Sequence, residues 1–345
     1  MNGRERTLAT VRGEGTDIVP RVPILMQFAA EFIGSNYGAF ASDHRVLVEA
    51  NLRCAEHFDF DQVSAISDPY RETQGFGARI EFVRHGVPRC PRPPLAEDRD
   101  PARLRRPDPR RSERMRDRVR AIEAFAQAVR ETHSILGWIE GPAAEAANLR
   151  GVTNFLTDLA LEPAYADDLM ARCVDVGVEF AKAQLDAGAD TIGVGDAVVS
   201  QVSPATYERL IFPHEQRLFD GIHQAGGLVR LHICGDTTHL LPHMARLHVD
   251  VIDLDWQVDM AEARRVLGAG KVLTGNLDPA NAVKASSPER IRSDLLAVYR
   301  AVGNPYMAGA GCEIPSGTPE ANLRALCQPI PYEAPGPTHV EAMRK

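Results

Sequence analysis

The sequence predicts an α/β fold, a single (β/α)8 TIM barrel, on three observations. Short apolar, β-branched runs alternate with longer helical patterns along all 345 residues. The runs number eight, the strand count of that barrel. Each spans about five to seven residues with little polar alternation, as strands buried on both faces of a parallel sheet do. A doubly wound open sheet shows almost the same alternation, so the pattern by itself leaves that architecture open.

The elements follow in order. The first run is Val22–Phe28 and the second Gln62–Ser67, with a helical pattern over Val46–Glu56 between them. After the second run comes a Pro/Arg-rich insert, residues 88–112, opening Pro88-Arg89-Cys90-Pro91-Arg92-Pro93-Pro94. Its charges read as solvated, and a basic docking patch or a lid is the alternative. A helix over Glu113–Arg130 leads to the run Ile135–Glu140, and a long one over Asn154–Asp186 leads to Thr191–Gly195. Ser203-Pro204 starts the next helix, with Ser as cap and Pro in the first helical position, and the pattern runs through Gln224. Leu228–Ile233, Val249–Leu254, Lys271–Gly275 and Tyr306–Ala310 complete the runs, with helices over Thr238–Arg246 and Pro288–Ala301. Ser287-Pro288 and Thr318-Pro319 repeat the helix-start signal. The prolines at 329, 331, 335 and 337 cannot continue a helix. The expected organisation is therefore one barrel over 1–328 and an extended or disordered tail over 329–345.

Composition narrows the function. Lys plus Arg is 39 and Asp plus Glu is 47, a formal net charge of −8, which argues against a broadly basic nucleic-acid binder. No run of about 18 apolar residues crosses a membrane, and Met1-Asn2-Gly3-Arg4-Glu5-Arg6 leads into no apolar leader core. Six cysteines, at 54, 90, 173, 234, 312 and 327, are too scattered for a disulfide scaffold and suit reduced thiols or metal ligands. These features predict a cytoplasmic protein.

The strongest chemical signal is Leu231-His232-Ile233-Cys234-Gly235-Asp236, where a strand run ends and a helix is about to begin. Residues i and i+2 of a strand point to one side, so His232 and Cys234 project together. At the C-terminal end of a barrel strand, that side can face the active-site mouth. A third ligand is offered by Gly309-Ala310-Gly311-Cys312-Glu313-Ile314-Pro315 at the end of the last run, 78 residues beyond Cys234. One imidazole and two thiolates neutralise Zn²⁺ and leave the fourth position open, the pattern of a catalytic site. Cys54, Cys173 and Cys327 fall in or near helical patterns and read as packing residues, and Cys90 as a loop residue.

Other strand ends carry Asp68, Glu140, Asp196, Asp255 and Asn276. Such residues also cap helices and build turns; Asp278, just before Pro279, reads as a turn residue. Asp196 and Asp255 are the candidates for orienting substrate or supporting the ligating His. Gln27, Glu31, Asp68 and Asn276 are the candidates for lining the pocket.

Taken together, His232-x-Cys234-Gly235-Asp236, Asp253-x-Asp255, Gly275-Asn276-Leu277-Asp278-Pro279 and Gly311-Cys312-Glu313-Ile314-Pro315 resemble the uroporphyrinogen decarboxylase superfamily. More narrowly they resemble its zinc-dependent, corrinoid-linked methyltransferase branch. The resemblance extends to Pro23–Phe28, Asp68, Glu140-Gly141-Pro142 and Gly195-Asp196 through Pro213, nearly the whole chain apart from the insert and tail. It implies a single barrel and zinc held by His232, Cys234 and Cys312. Decarboxylases of the family carry arginines after the first strand to hold substrate carboxylates, whereas this stretch reads Met26-Gln27-Phe28-Ala29-Ala30-Glu31, without Arg.

The resemblance implies methyl transfer between a corrinoid (cobalamin) and a small thiol acceptor or methyl-ether donor. The corrinoid would ride on a separate partner protein, and barrels of this type often pair as homodimers. The alternatives are a metal-independent decarboxylase, with an anion clamp such as Arg71, and a non-catalytic small-molecule binder.

Overall fold

A computed structural model describes residues 1–334. Seven parallel strands form one curled sheet in simple sequential order: β1 (Gln62–Ser64), β2 (Ser134–Glu140), β3 (Thr191–Gly195), β4 (Leu228–Ile233), β5 (Val251–Leu254), β6 (Val272–Leu277) and β7 (Tyr306–Ala310). Sequential parallel order with helical crossovers is the TIM-barrel type of winding. The strands are buried along almost their whole length, which explains their unbroken apolar composition.

Among the described residues the expected count of eight strands is not met: Val22–Phe28 is no strand. Pro20 and Pro23 lack the N–H that a ladder needs, which limits pairing to an isolated bridge between Arg21 and Ala308. Even so, this segment bonds to both ends of the sheet. Val22 N donates to Ala308 O at 2.9 Å, Ala308 N to Pro20 O at 2.7 Å, and Asp61 N to Arg21 O at 2.8 Å. The chain then turns into the helix Gln27–Phe32.

The helical pattern over 154–186 divides into Val152–Leu161 and Pro163–Ala187, because Pro163 opens a new helix in its first turn. The stretch from Pro204 contains a π-helical turn over Tyr207–Ile211, just ahead of Pro213, whose missing N–H lies in the first turn of Phe212–Gln224. Residues 88–112 hold the short 3-10 turn Pro101–Arg103 and a bridge from Arg89 to Glu81, and their Leu95 is buried with its N–H on Leu149 O. Arg106 pairs with Glu179 and Arg110 with Asp186, both acids on the helix Pro163–Ala187. The segment's arginines are thus partly neutralised by the outer helix rather than gathered into a bare basic patch.

Of the expected tail, the described part is extended and tied down: Val19 N donates to Ile330 O and Tyr332 N to Asp17 O. Pro335 and Pro337 lie outside the described residues. No helix among the described residues is long and apolar enough to cross a membrane.

The main core fills the space between helices and sheet. A smaller cluster of Ile24, Ile66, Leu136 and Trp138 packs inside the sheet, towards the strand C-termini. It forms the floor on which the site is built.

Candidate metal centre

His232 sits near the end of β4, and Cys234 follows it on the same side by strand alternation. Gly235 then takes φ +95°, a left-handed turn that glycine adopts without the Cβ penalty. Cys312 follows the end of β7 after Gly311, at which an added Cβ would lie 2.5 Å from Trp256 N. Only glycine lets the backbone pass there and bring Cys312 inward.

The result is a tight triangle. His232 Nε2 lies 3.2 Å from Cys234 Sγ, the two sulfurs are 3.6 Å apart, and Cys312 Sγ is 3.6 Å from His232 Nε2. Zn–S near 2.3 Å and Zn–N near 2.0 Å give tetrahedral edges of about 3.5–3.8 Å. The three atoms therefore approximate one face of a zinc tetrahedron, with the fourth vertex free of any of the three. The donor set fits the metal. The remaining cysteines are free thiols, with Cys54, Cys173 and Cys327 buried and Cys90 half-buried.

Charge in the triangle is strongly polarised. Cys234 donating to Cys312 pulls the Cys312 thiol down to about 4, against burial and with help from His232. The same contact, with burial, pushes Cys234 up. Burial disfavours charge on His232, but Asp253 and Cys312 outweigh it and hold the imidazole up to about 10. Asp253 is the register partner of His232 on β5. Its Oδ2 lies 3.3 Å from His232 Nδ1, and both its oxygens receive Arg230 Nε at 2.9 Å. Arg230 in turn donates to Gln62 Oε1 at 2.6 Å. The sequence carries Asp253 only within the motif Asp253-x-Asp255; the register opposite His232 is what singles it out.

A cavity of about 170 Å³ opens over the triangle. Ile24, Met26, Ile66 and Trp138 give it apolar walls, and Tyr37, Asp68, Glu140 and Glu313 bring polar groups to it. Glu140 Oε1 accepts from Trp138 Nε1 at 3.1 Å. Burial, with Glu72 beside it, raises the Glu140 carboxyl well above the usual range. Burial likewise carries Glu313 up to about 7.

The other candidate residues divide by position. Asp68 borders the cavity but is locked to Arg114 at 2.5 and 3.0 Å. Asp196 is turned aside: it accepts from Ala143 N and Ala144 N, at the start of the helix Pro142–Arg150. Burial and Glu215 raise its carboxyl well above the usual range. Asp255 lies behind the cysteine turn, accepting Gly235 N at 2.9 Å. Gln27 N donates to Glu313 Oε1 at 2.7 Å, while Glu31 accepts from Gln27 Nε2 and Ser316 Oγ, so these two hold the rim. Asn276 Nδ2 donates to the carbonyls of Asp255 and Val258 and braces that loop. Arg71, the expected anion clamp, is wholly buried and spends its guanidinium on Asp117, Arg114 O, Ala41 O and Ser67 Oγ.

Comparison with known proteins adds the following. The family described as "Uroporphyrinogen decarboxylase (URO-D)" matches residues 2–330. A protein named uroporphyrinogen decarboxylase from Gloeobacter violaceus is 29% identical over 297 residues, 84% of each chain. One so named from Nocardia farcinica is 40% identical over 121 residues, 34% of each. Among solved structures, a methyltransferase from Methanosarcina mazei superposes with a TM-score of 0.87 at 21% identity, covering 94% of this chain and 97% of its own. A B12-independent methionine synthase from Shewanella gives 0.55 at 16% identity, over 90% and 95%. At these identities the solved structures speak for the fold.

Proposed function

The chain belongs to the uroporphyrinogen decarboxylase family, and from that premise we propose that it is a zinc-dependent methyltransferase, moving a methyl group between a corrinoid on a partner protein and a small thiol or methyl ether. The observation that carries this reading is the triangle of His232 Nε2, Cys234 Sγ and Cys312 Sγ, with edges of 3.2–3.6 Å.

His232, Cys234 and Cys312 would hold the ion. Lewis-acid chemistry towards a thiol sulfur or an ether oxygen is what zinc supplies in such a site. The protein's own part is orientation. Asp253, anchored by Arg230, places a carboxylate 3.3 Å from the Nδ1 side of the His232 ring, a charge contact that favours Nε2 facing the two sulfurs. Asp255 fixes the Gly235 amide and so the Cys234 turn. Asp196 acts from further back, securing the helix beside Glu140 through Ala143 and Ala144. The apolar walls exclude water from the reacting heteroatom. Half-exposed Trp256, beside Asp255 and against Gly311, gives the partner an apolar contact next to the ligands.

The curated relatives' name favours decarboxylation as the second reading. Against it, no Lys or Arg is among the residues lining the cavity, and Arg71 is turned into the core. A porphyrinogen carrying several carboxylates would find no guanidinium or ammonium among the described residues there. The deciding experiment combines metal analysis with methylcobalamin demethylation against thiols and methoxylated aromatics. About one zinc per chain and chelator-sensitive methyl transfer are expected. Decarboxylation of a porphyrinogen by chelated, metal-free protein would overturn the proposal.

A further inference from the structure

We infer that the cavity over the triangle selects an uncharged, ring-sized methyl compound whose heteroatom is met by Glu140, and that it rejects anionic thiols and carboxylates. The inference rests on the reading above for the position of the reacting group, but not for the charge preference.

Size comes first. The cavity holds about 170 Å³, and an apolar cavity of about 150 Å³ is enough for benzene. Ile24, Met26, Ile66 and Trp138 offer such a ring apolar contact.

Charge comes second. The arginines behind the Asp68 and Trp138 walls, Arg71, Arg114 and Arg118, are all buried and already engaged. Arg114 ends on Asp68, Arg71 on Asp117, and Arg118 donates to Trp138 O at 3.0 Å. None lines the cavity, and the charge at the triangle is already balanced by its own sulfurs and Asp253, so an anion entering it would lose water and gain no uncompensated cation. Sites discriminate by such unpaired charges as much as by attraction.

The polar contact comes third. Asp68 is saturated by Arg114, Tyr37 donates to Ser67 O, and Glu313, which like Glu140 has one oxygen engaged, is tied to the rim by Gln27 N. Glu140 has one oxygen pinned by Trp138 Nε1, while its other oxygen has no partner among the described residues. That oxygen can accept from a phenol hydroxyl as a carboxylate and can donate to an ether oxygen when protonated.

The test is calorimetric binding to the zinc-loaded protein with 2-methoxyphenol, 4-methoxybenzoate, 2-mercaptoethanesulfonate and tetramethylammonium. 2-Methoxyphenol is expected to bind at least about 10-fold tighter than each charged probe. Glu140→Leu should weaken it about 5- to 10-fold, the loss of one hydrogen bond, while Glu140→Gln stays within about 2-fold. Met26→Arg, which puts the missing cation on the wall, should turn the preference towards 4-methoxybenzoate. Tighter binding of an anion or cation by the unaltered protein overturns the inference. So does full affinity in Glu140→Leu, or an unmoved preference in Met26→Arg. If zinc and methyl transfer are absent while 2-methoxyphenol still binds selectively, the functional reading fails and this one stands. If methyl transfer proceeds without the charge preference, only this one fails.

Discussion

His232 and Asp253, neighbours in the register of β4 and β5, meet with Nδ1 3.3 Å from Oδ2, and Arg230 holds that carboxylate from its other side at 2.9 Å. A carboxylate behind a ligating imidazole sets its orientation and basicity, and its loss typically costs about 10- to 100-fold in metal affinity. Asp253→Asn should weaken zinc binding by that factor in competition with a chromophoric chelator, with circular dichroism unchanged. Unchanged affinity would remove Asp253 from the site.

Substituting His232, Cys234 or Cys312 by Ala should each take bound zinc from about one per chain to well below half, by mass spectrometry of the metal. Methyl transfer should fall with it. Cys54→Ala is the control, since that buried thiol belongs to the helix His44–Phe58 and is not among the residues lining the cavity.

Gly311→Ala forces a Cβ to within 2.5 Å of Trp256 N and 3.1 Å of Asp255 C, both backbone atoms that cannot swing away. The turn must shift and carry Cys312 with it. Zinc affinity should drop at least about 10-fold for a stability cost of about 1–3 kcal/mol. Equal zinc affinity in both proteins would contradict the close passage.

Asp68 should make the fold acid-sensitive. Burial opposes its charge, but Arg114, aided by Arg71 and Arg118, holds its carboxyl far below the usual range. A depressed native pKa contributes stability above the unfolded value, about 3.9, and loses it as pH falls below that. Arg114→Ala leaves the carboxylate buried without its partner and should cost about 3–5 kcal/mol at neutral pH in urea unfolding. The loss should shrink at pH 3.

Glu215 has the opposite sign. Burial raises it to about 7, and Tyr207 donates to it. Its contribution is complete below the unfolded carboxyl value, near 4.3, and is lost as pH rises through about 7. Glu215→Gln should therefore flatten the urea midpoint between pH 4 and 8, by an amount on the order of 1–3 kcal/mol. A slope identical to that of the unaltered protein would show that the carboxyl titrates normally.

Much of the fold was legible because burial on both faces writes itself locally. Thr191–Gly195, Leu228–Ile233 and Tyr306–Ala310 are strands over the very spans that their apolar runs predict. Val22–Phe28 misled for a local reason: its apolar character is real, but prolines at 20 and 23 withhold the donors of a ladder. In the site, His232 and Cys234 could be paired by two-residue alternation. The roles of Asp196, Gln27, Glu31 and Asn276 could not be read, because a strand-end polar residue looks the same whether it faces a ligand or caps a helix. In the structure these four hold backbone or rim groups in place.

The sequence by itself determined the alternation of strand and helix, the His-x-Cys pair, and the glycine that lets Cys312 turn inward. Only the tertiary structure decided that Cys312 comes within 3.6 Å of both Cys234, 78 residues away, and His232, that Asp253 rather than Asp255 backs the imidazole, and that Arg71, Arg114 and Arg118 are spent on groups outside the cavity. The physical reason is range. Backbone alternation sets side-chain direction over a few residues, whereas these contacts depend on how the curled sheet brings β4, β5 and β7 to one rim, and on which buried carboxylates claim each guanidinium first.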